Sequence, residues 1–218
     1  MDLKKSQEKG IDEINFIKEI KPEIEALFIK EYQKLRSKIN GLTESFSLDL
    51  KTFKQLLSDN QNKAYCKFYY LQKDDFLHIG LSFSDNDQCP IKTDDVFYSL
   101  EGDVIKDTDF AAMVTAFKEG IGAQLQKETG EEDVLTAYTL KNINDYLTKM
   151  ERLKLTVYAL KFNMWQYCPT DLDQEDAVLT AEFTIRNKRI SFCVHALFNE
   201  ASSTFDPVPG SDLGNLRP

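Results

Sequence analysis

Histidine is scarce in this chain: His78 and His195 are the only two among 218 residues. Four cysteines are present, and none of them forms the C-x-x-C spacing that is typical of zinc fingers and thiol redox sites. Catalysis by a histidine base and metal binding through imidazole are therefore restricted to the surroundings of two side chains. In a reducing compartment the cysteines are expected to be free thiols.

Long hydrophobic runs are also lacking. No segment approaches the roughly 18 consecutive apolar residues that span a bilayer, and the stretch from Met1 to Gly10 is charged and polar with no apolar segment after it. The sequence therefore predicts a soluble, cytoplasmic protein without a membrane partner.

Positive charge is in deficit. Lysine and arginine number 27 against 36 aspartates and glutamates, which gives a formal net charge of −9. An acidic surface repels the phosphate backbone, so the composition argues against nucleic acid as a partner.

The common catalytic and nucleotide-binding motifs are missing as well. The chain contains no G-x-S-x-G elbow, no G-x-x-x-x-G-K-[ST] loop and no G-x-G-x-x-G turn. These absences argue against a serine hydrolase of that type and against the usual nucleotide cradles. They favour a protein that is not an enzyme.

The most regular pattern that is present runs from Ala177 to Phe198 and predicts a β-hairpin with a two-residue turn at Asn187-Lys188. Side chains alternate between the faces of a strand, so this turn places apolar residues opposite one another on one face. The predicted apolar pairs are Ile185 with Ile190, Phe183 with Phe192, Ala181 with Val194 and Leu179 with Ala196. The other face then pairs Glu182 with Cys193 and Thr180 with His195.

A second alternating segment predicts an earlier hairpin over residues 64–84. A loop around Lys73-Asp74 pairs Cys66 with Leu81, Phe68 with Ile79 and Tyr70 with Leu77, and again one face is apolar. His78 lies on the opposite face. Both histidines are thus predicted on the sheet faces that point away from the core.

The order of elements predicts an α+β fold, with an antiparallel sheet of about five strands (two hairpins plus one strand) and helices packed mainly on one face. We expect one domain over residues 1–199 and an irregular tail over 200–218. Within the domain a helical N-terminal segment covers 11–59, helices cover 107–152 and strands cover 155–199. This order is also consistent with two related halves, although their sequence identity is too low to establish a duplication.

Four side chains form the candidate metal site: His78, Glu182, Cys193 and His195. Cys193 and His195 are two residues apart, so they share a face of a strand, and the predicted register puts Glu182 beside them. Zinc accepts imidazole, thiolate and carboxylate ligands. Zinc is therefore the one cofactor for which the sequence supplies candidate ligands, while the main prediction is that no cofactor is bound.

The favoured function is a non-enzymatic module for protein interaction or self-association, with a protein partner or a homo-oligomer as the expected assembly. The alternative is a metal-binding protein or metal-assisted hydrolase that uses the four candidate ligands. A third hypothesis is a binder of a small ligand in a pocket between sheet and helices.

Overall fold

The computed structural model of the chain describes residues 19–92, 94–152, 157–169, 177–198 and 215–217. Helices and strands alternate through these residues. The helices are α1 (Pro22–Arg36), α2 (Leu50–Asp59), α3 (Asp107–Glu119), α4 (Ile121–Thr129), α5 (Leu140–Arg152) and α6 (Ala177–Ile185). The strands are β1 (Ser45–Asp49), β2 (Tyr65–Lys73), β3 (Phe76–Ser84), β4 (Val96–Tyr98), β5 (Leu135–Thr139), β6 (Val157–Gln166), β7 (Ile190–Phe198) and β8 (Asn215–Arg217).

The strands form two antiparallel sheets. Sheet 1 has the order β1-β6-β7, and sheet 2 has the order β4-β3-β2-β5, to which the three residues of β8 add an edge strand. The prediction of a mixed fold with antiparallel pairing is confirmed, whereas the prediction of a single sheet of about five strands was wrong. The predicted helical segments 11–59 and 107–152 each contain a strand, β1 and β5. These strands were missed because each is short and runs directly into a helix.

The two sheets pack face to face around one central core. Phe68 of sheet 2 lies 5.3 Å from Phe162 and 5.4 Å from Phe192 of sheet 1, measured between ring centroids. Apolar residues of α2 and α5 enter the same core, among them Phe53 and Ile143, both fully buried. Aromatic contacts of this kind add to the stabilisation that comes from burying their area.

The outer face of each sheet is covered by a helix, so the helices lie on both sides and not mainly on one. On sheet 1, Phe28 of α1 packs edge-on against Trp165 at 5.3 Å. On sheet 2, Phe110 of α3 packs edge-on against Tyr69 at 5.3 Å. The prediction of helices mainly on one face was wrong because each sheet has apolar residues on both of its faces. One face packs against the other sheet, and the second face needs a helix to cover it.

The first predicted hairpin exists as β2 and β3, with the same faces but a different register. Lys73 pairs with Phe76, so the turn consists of Asp74 and Asp75, and Phe68 pairs with Leu81 instead of Ile79. Both turn residues have positive φ, 49° and 64°. A two-residue turn of this hand requires positive φ at both positions, which aspartate tolerates better than lysine.

The second predicted hairpin was wrong in its first strand. The segment Ala177–Ile185 is helix α6, and the strand that pairs with β7 is β6, with Phe162 opposite Val194 and Asn163 opposite Cys193. The alternation along β7 was predicted correctly, since Phe192 and Val194 lie in the central core. The strand that pairs with β7 was predicted wrongly. The alternating pattern of β6 is just as suitable for this edge as that of residues 177–185.

The element order repeats in the two halves of the chain. Helix, strand, helix and two paired strands occur as α1-β1-α2-β2-β3 and again from α3 to β7, where α4 is inserted before β5 and α6 before β7. The short strand β4 lies between the two halves. The halves exchange their first strands, because β1 pairs with β6 and β5 pairs with β2. Asp49 and Thr139, which end these strands, each accept the N–H of the residue three positions later. The topology therefore gives the halves an equivalence that the sequence alone does not establish.

Two predicted segments lie partly outside the described residues. Of the predicted helical segment over 11–59, residues 11–18 are not described, and of the tail only Asn215–Arg217 is described. Across the part of the chain that is described, none of the helices has the length and apolar character that crossing a membrane would require.

Gly80 permits the close approach of α3 to sheet 2, which leads to a first prediction. A Cβ at this position would lie 2.5 Å from Cε2 of Phe110 and 2.6 Å from a methyl carbon of Leu71. We expect Gly80→Ala to lower the free energy of unfolding by about 1–3 kcal/mol through overpacking, measured by urea denaturation. In a Phe110→Leu background, Gly80→Ala should lower the free energy of unfolding by less than it does in the wild type. An equal loss in both backgrounds would contradict the explanation.

Candidate functional site

The candidate site lies on the outer face of sheet 1, beneath α1. Cys193 and His195 alternate with the core residues of β7 and therefore point outward, towards the helix. Glu25 of α1 faces them, one helical turn before Phe28, and only 8 % of the glutamate is exposed. Pro22 at the start of α1 and a buried apolar side made of Ile24, Phe28, Tyr32 and Leu35 hold the helix in this orientation.

Glu25, Cys193 and His195 bring three ligand-type atoms together. One carboxylate oxygen, the thiol sulfur and a ring nitrogen all lie within 4.8 Å of one another. Nε2 of His195 is 2.6 Å from Oε1 of Glu25, and Nδ2 of Asn163 donates to the same oxygen at 3.3 Å. Among the residues described, this is the one group of three such side chains that can hold a metal ion.

The carboxylate at the centre of this group is held in its charged form. Burial raises the pKa of Glu25, but the hydrogen bond and the attraction from His195, with further hydrogen bonds from Asn163 and Cys193, lower it by more. The net result is a pKa below the ordinary value of 4.5. Since Glu25 is an acceptor here, the His195 ring donates from Nε2, and the Cys193 thiol donates as well.

The site is dry on one side and open on the other. The Cys193 side chain is fully buried beside Trp165 and Phe28, whereas 23 % of the His195 side chain is exposed. Solvent can therefore approach the imidazole side of the group, while the sulfur is shielded.

Two of the four predicted ligands lie elsewhere. Glu182 belongs to α6, where it forms a buried ion pair with Arg186 at 3.2 Å, so its predicted place opposite Cys193 was wrong. His78 is exposed on β3 of the other sheet, where it borders a large groove. The structure brings together Cys193 and His195 and replaces the other two by Glu25.

Glu25 was missed because sequence reasoning treated α1 only as a packing helix. The signal was nevertheless present, since the position three residues before Phe28 and seven before Tyr32 falls on the apolar side of the helix. A carboxylate at such a position is costly to bury without partners. An acidic residue on an apolar helix side therefore indicates a basic or metal partner on the surface beneath it.

A second buried charge lies on the outer face of sheet 2. The strand pairings place Lys67 where sheet 1 has Lys161, and Ser82 where sheet 1 has His195. The ammonium group of Lys67 is fully buried, 3.2 Å from Asp95, and burial lowers the pKa of this lysine despite the attraction of Asp95. Both outer faces thus bury charged groups, but at different positions of the equivalent strands and with different chemistry.

Comparison of the chain with protein-family models, with curated proteins and with solved structures finds no match. Function has to be argued from the chemistry of the sites themselves. The Glu25 group is the strongest basis for that argument, because it combines ligand-type atoms, burial and access from solvent.

The charge of Glu25 predicts a specific pH dependence of stability. Because its pKa is lowered in the folded protein, the unfolded chain binds more protons between the two pKa values, and stability rises with pH across that window. In metal-free buffer Glu25→Gln should cost about 2 kcal/mol of unfolding free energy at pH 7, with the gap from the wild type shrinking below pH 4.5.

Urea denaturation between pH 3 and pH 8 measures this gap. Glu23→Gln, an exposed change on the same helix, is the matched control and should shift stability by less than about 0.5 kcal/mol. A gap that stays constant down to pH 3 would show that the Glu25 charge contributes nothing to it.

Proposed function

We propose that this chain is a metal-binding protein that holds one divalent transition metal ion, best suited to zinc, through Glu25, Cys193 and His195. The observation that carries the proposal is the convergence of a carboxylate, a thiol and an imidazole within 4.8 Å, from a helix and a strand far apart in sequence. Imidazole, thiolate and carboxylate are the ligand types that zinc takes in proteins.

The ligand number fits a site with an open position. Three protein ligands and one exchangeable position are typical of zinc sites that act on a water or a substrate, whereas closed structural sites use four protein ligands. The partial exposure of the His195 side chain leaves an approach for a fourth ligand. Asn163 would remain a hydrogen-bond donor that orients the Glu25 carboxylate.

Binding requires the ligands to lose protons and to move slightly. Nitrogen and oxygen ligands of a tetrahedral zinc ion lie about 3.3 Å apart, so the 2.6 Å contact between His195 and Glu25 must lengthen as the ion replaces the shared proton. Cys193 must become a thiolate, which makes the affinity rise with pH. In the cytoplasm, where we place the protein, Cys193 stays a reduced thiol outside any disulfide.

The interaction-module hypothesis remains a prediction with less support in the structure. One version of this hypothesis is an acidic surface that suits a basic partner protein, and it depends on Asp94, Asp95, Asp171 and Asp173. Asp95 is buried against Lys67, and Asp94 lies 3.3 Å from the ammonium group of Lys63. Both carboxylates therefore already have a lysine partner, which Asp94 shares with Asp85. Asp171 and Asp173 of the same version lie outside the described residues.

Cobalt substitution tests the proposed metal site. Protein purified without a metal column and stripped with a chelator should bind one Co²⁺ per chain and develop a thiolate-to-cobalt charge-transfer band, because Cys193 becomes a ligand. Addition of Zn²⁺ should abolish the band by displacement. His195→Ala, Cys193→Ser and Glu25→Gln should each weaken binding by at least about tenfold.

The chain supplies a matched control for each variant. His78→Ala, Cys89→Ser and Glu23→Gln change the same residue types at places away from the group and should leave the cobalt spectrum and the stoichiometry unchanged. Circular dichroism confirms that each variant is folded. Absence of the charge-transfer band in the wild type, or an equal loss of binding in the controls, would refute the proposal.

A further inference from the structure

A second concave surface, which we call the inter-sheet groove, lies between β1 of sheet 1 and the β2–β3 hairpin of sheet 2. It encloses about 730 Å³. Phe46 and Ser47 of β1 border it on one side, and residues of the β2–β3 hairpin, including His78, border it on the other. The segment that leads from β4 into α3 closes the third side. Volumes of roughly 300–1,000 Å³ are usual for small-molecule sites.

The floor of the inter-sheet groove is apolar. Leu71 and Ile79 of the hairpin are almost fully buried at its base. Phe46, Leu100 and Met113 line it as well and are only partly buried, so each leaves apolar surface exposed to solvent. Removing this surface from water is favourable, and a ligand with an apolar body would do so.

The rim of the groove is acidic. Glu101, Asp103 and Asp109 are exposed along the closing segment. Within the described ranges none of these three carboxylates takes part in an ion pair. Lys73 and His78 are the basic groups of the groove, so the carboxylates outnumber them whether or not the imidazole is protonated. A concave site with this excess concentrates cations at its mouth.

We propose that the inter-sheet groove binds a small organic cation with an apolar body, such as an aromatic or alkyl amine. The apolar floor takes the body of the ligand, and the carboxylates of the closing segment take the ammonium group. The proposal gives a use to the long acidic connection between β3 and α3, a length of chain that is unusual unless it has a task. It is independent of metal binding at Glu25.

Three probes with the same ring and different charge test the groove. Tryptamine is the cation, 3-ethylindole the neutral analogue and indole-3-propionate the anion. We expect tryptamine to bind with a dissociation constant of roughly 1 mM or tighter, at least fivefold more tightly than the neutral analogue. The anion should bind most weakly of the three.

Methionine methyl resonances report where each probe binds. Met113 lines the groove, whereas Met150 and Met164 are buried in the central core and serve as internal controls. In protein labelled at the methionine methyl groups, tryptamine should shift the Met113 signal, assigned with Met113→Leu, and leave the two core signals in place.

A charge-matched pair of double variants completes the test. Glu101→Gln with Asp103→Asn should weaken tryptamine binding by at least fivefold and leave binding of the neutral analogue unchanged. Glu23→Gln with Glu119→Gln removes the same charge from exposed sites outside the groove and should have no such effect. Equal affinity for all three probes, or no Met113 shift with tryptamine up to about 10 mM, some tenfold above the expected constant, would overturn the proposal.

Discussion

The contact between the two sheets is the constraint on which the other features depend. Phe68 of sheet 2 packs against Phe162 and Phe192 of sheet 1, so each sheet uses one face for the other. The opposite faces still carry large apolar side chains, and α1 and α3 cover them. Four layers follow from this arrangement, and two separate surfaces lie buried between a helix and a sheet.

Buried surfaces of this kind admit polar side chains only with partners, which is why the two charged clusters are informative. On sheet 2 a lysine, Lys67, is neutralised by Asp95 within a closed pair. On sheet 1 the matching face holds Cys193, His195 and Glu25, and all three present atoms that can bind a metal ion. The two outer faces therefore differ in chemistry: sheet 2 buries a structural ion pair, whereas sheet 1 buries a set of metal-ligand side chains.

Sequence patterns predicted those parts of the fold that depend on neighbours along the chain. The faces of β2, β3 and β7 follow the alternation of apolar residues along each strand. The turn at Asp74-Asp75 was also within reach, since aspartate accepts positive φ. Sequence patterns did not predict contacts between residues that are remote along the chain. The choice of β6 over residues 177–185 as the neighbour of β7, and the approach of Glu25 to His195, depend on tertiary packing that no local pattern contains.

The same short contact explains why the candidate metal site can persist in the absence of an ion. In the 2.6 Å hydrogen bond between His195 and Glu25, a proton holds together the two side chains that a metal ion would otherwise bridge. That proton keeps the carboxylate and the imidazole near their positions for coordination, and Asn163 fixes the carboxylate further. Binding then exchanges protons for a cation with little rearrangement of α1 against β7. The hydrogen-bonded group and the metal site are thus two states of one arrangement, related by pH and by metal concentration.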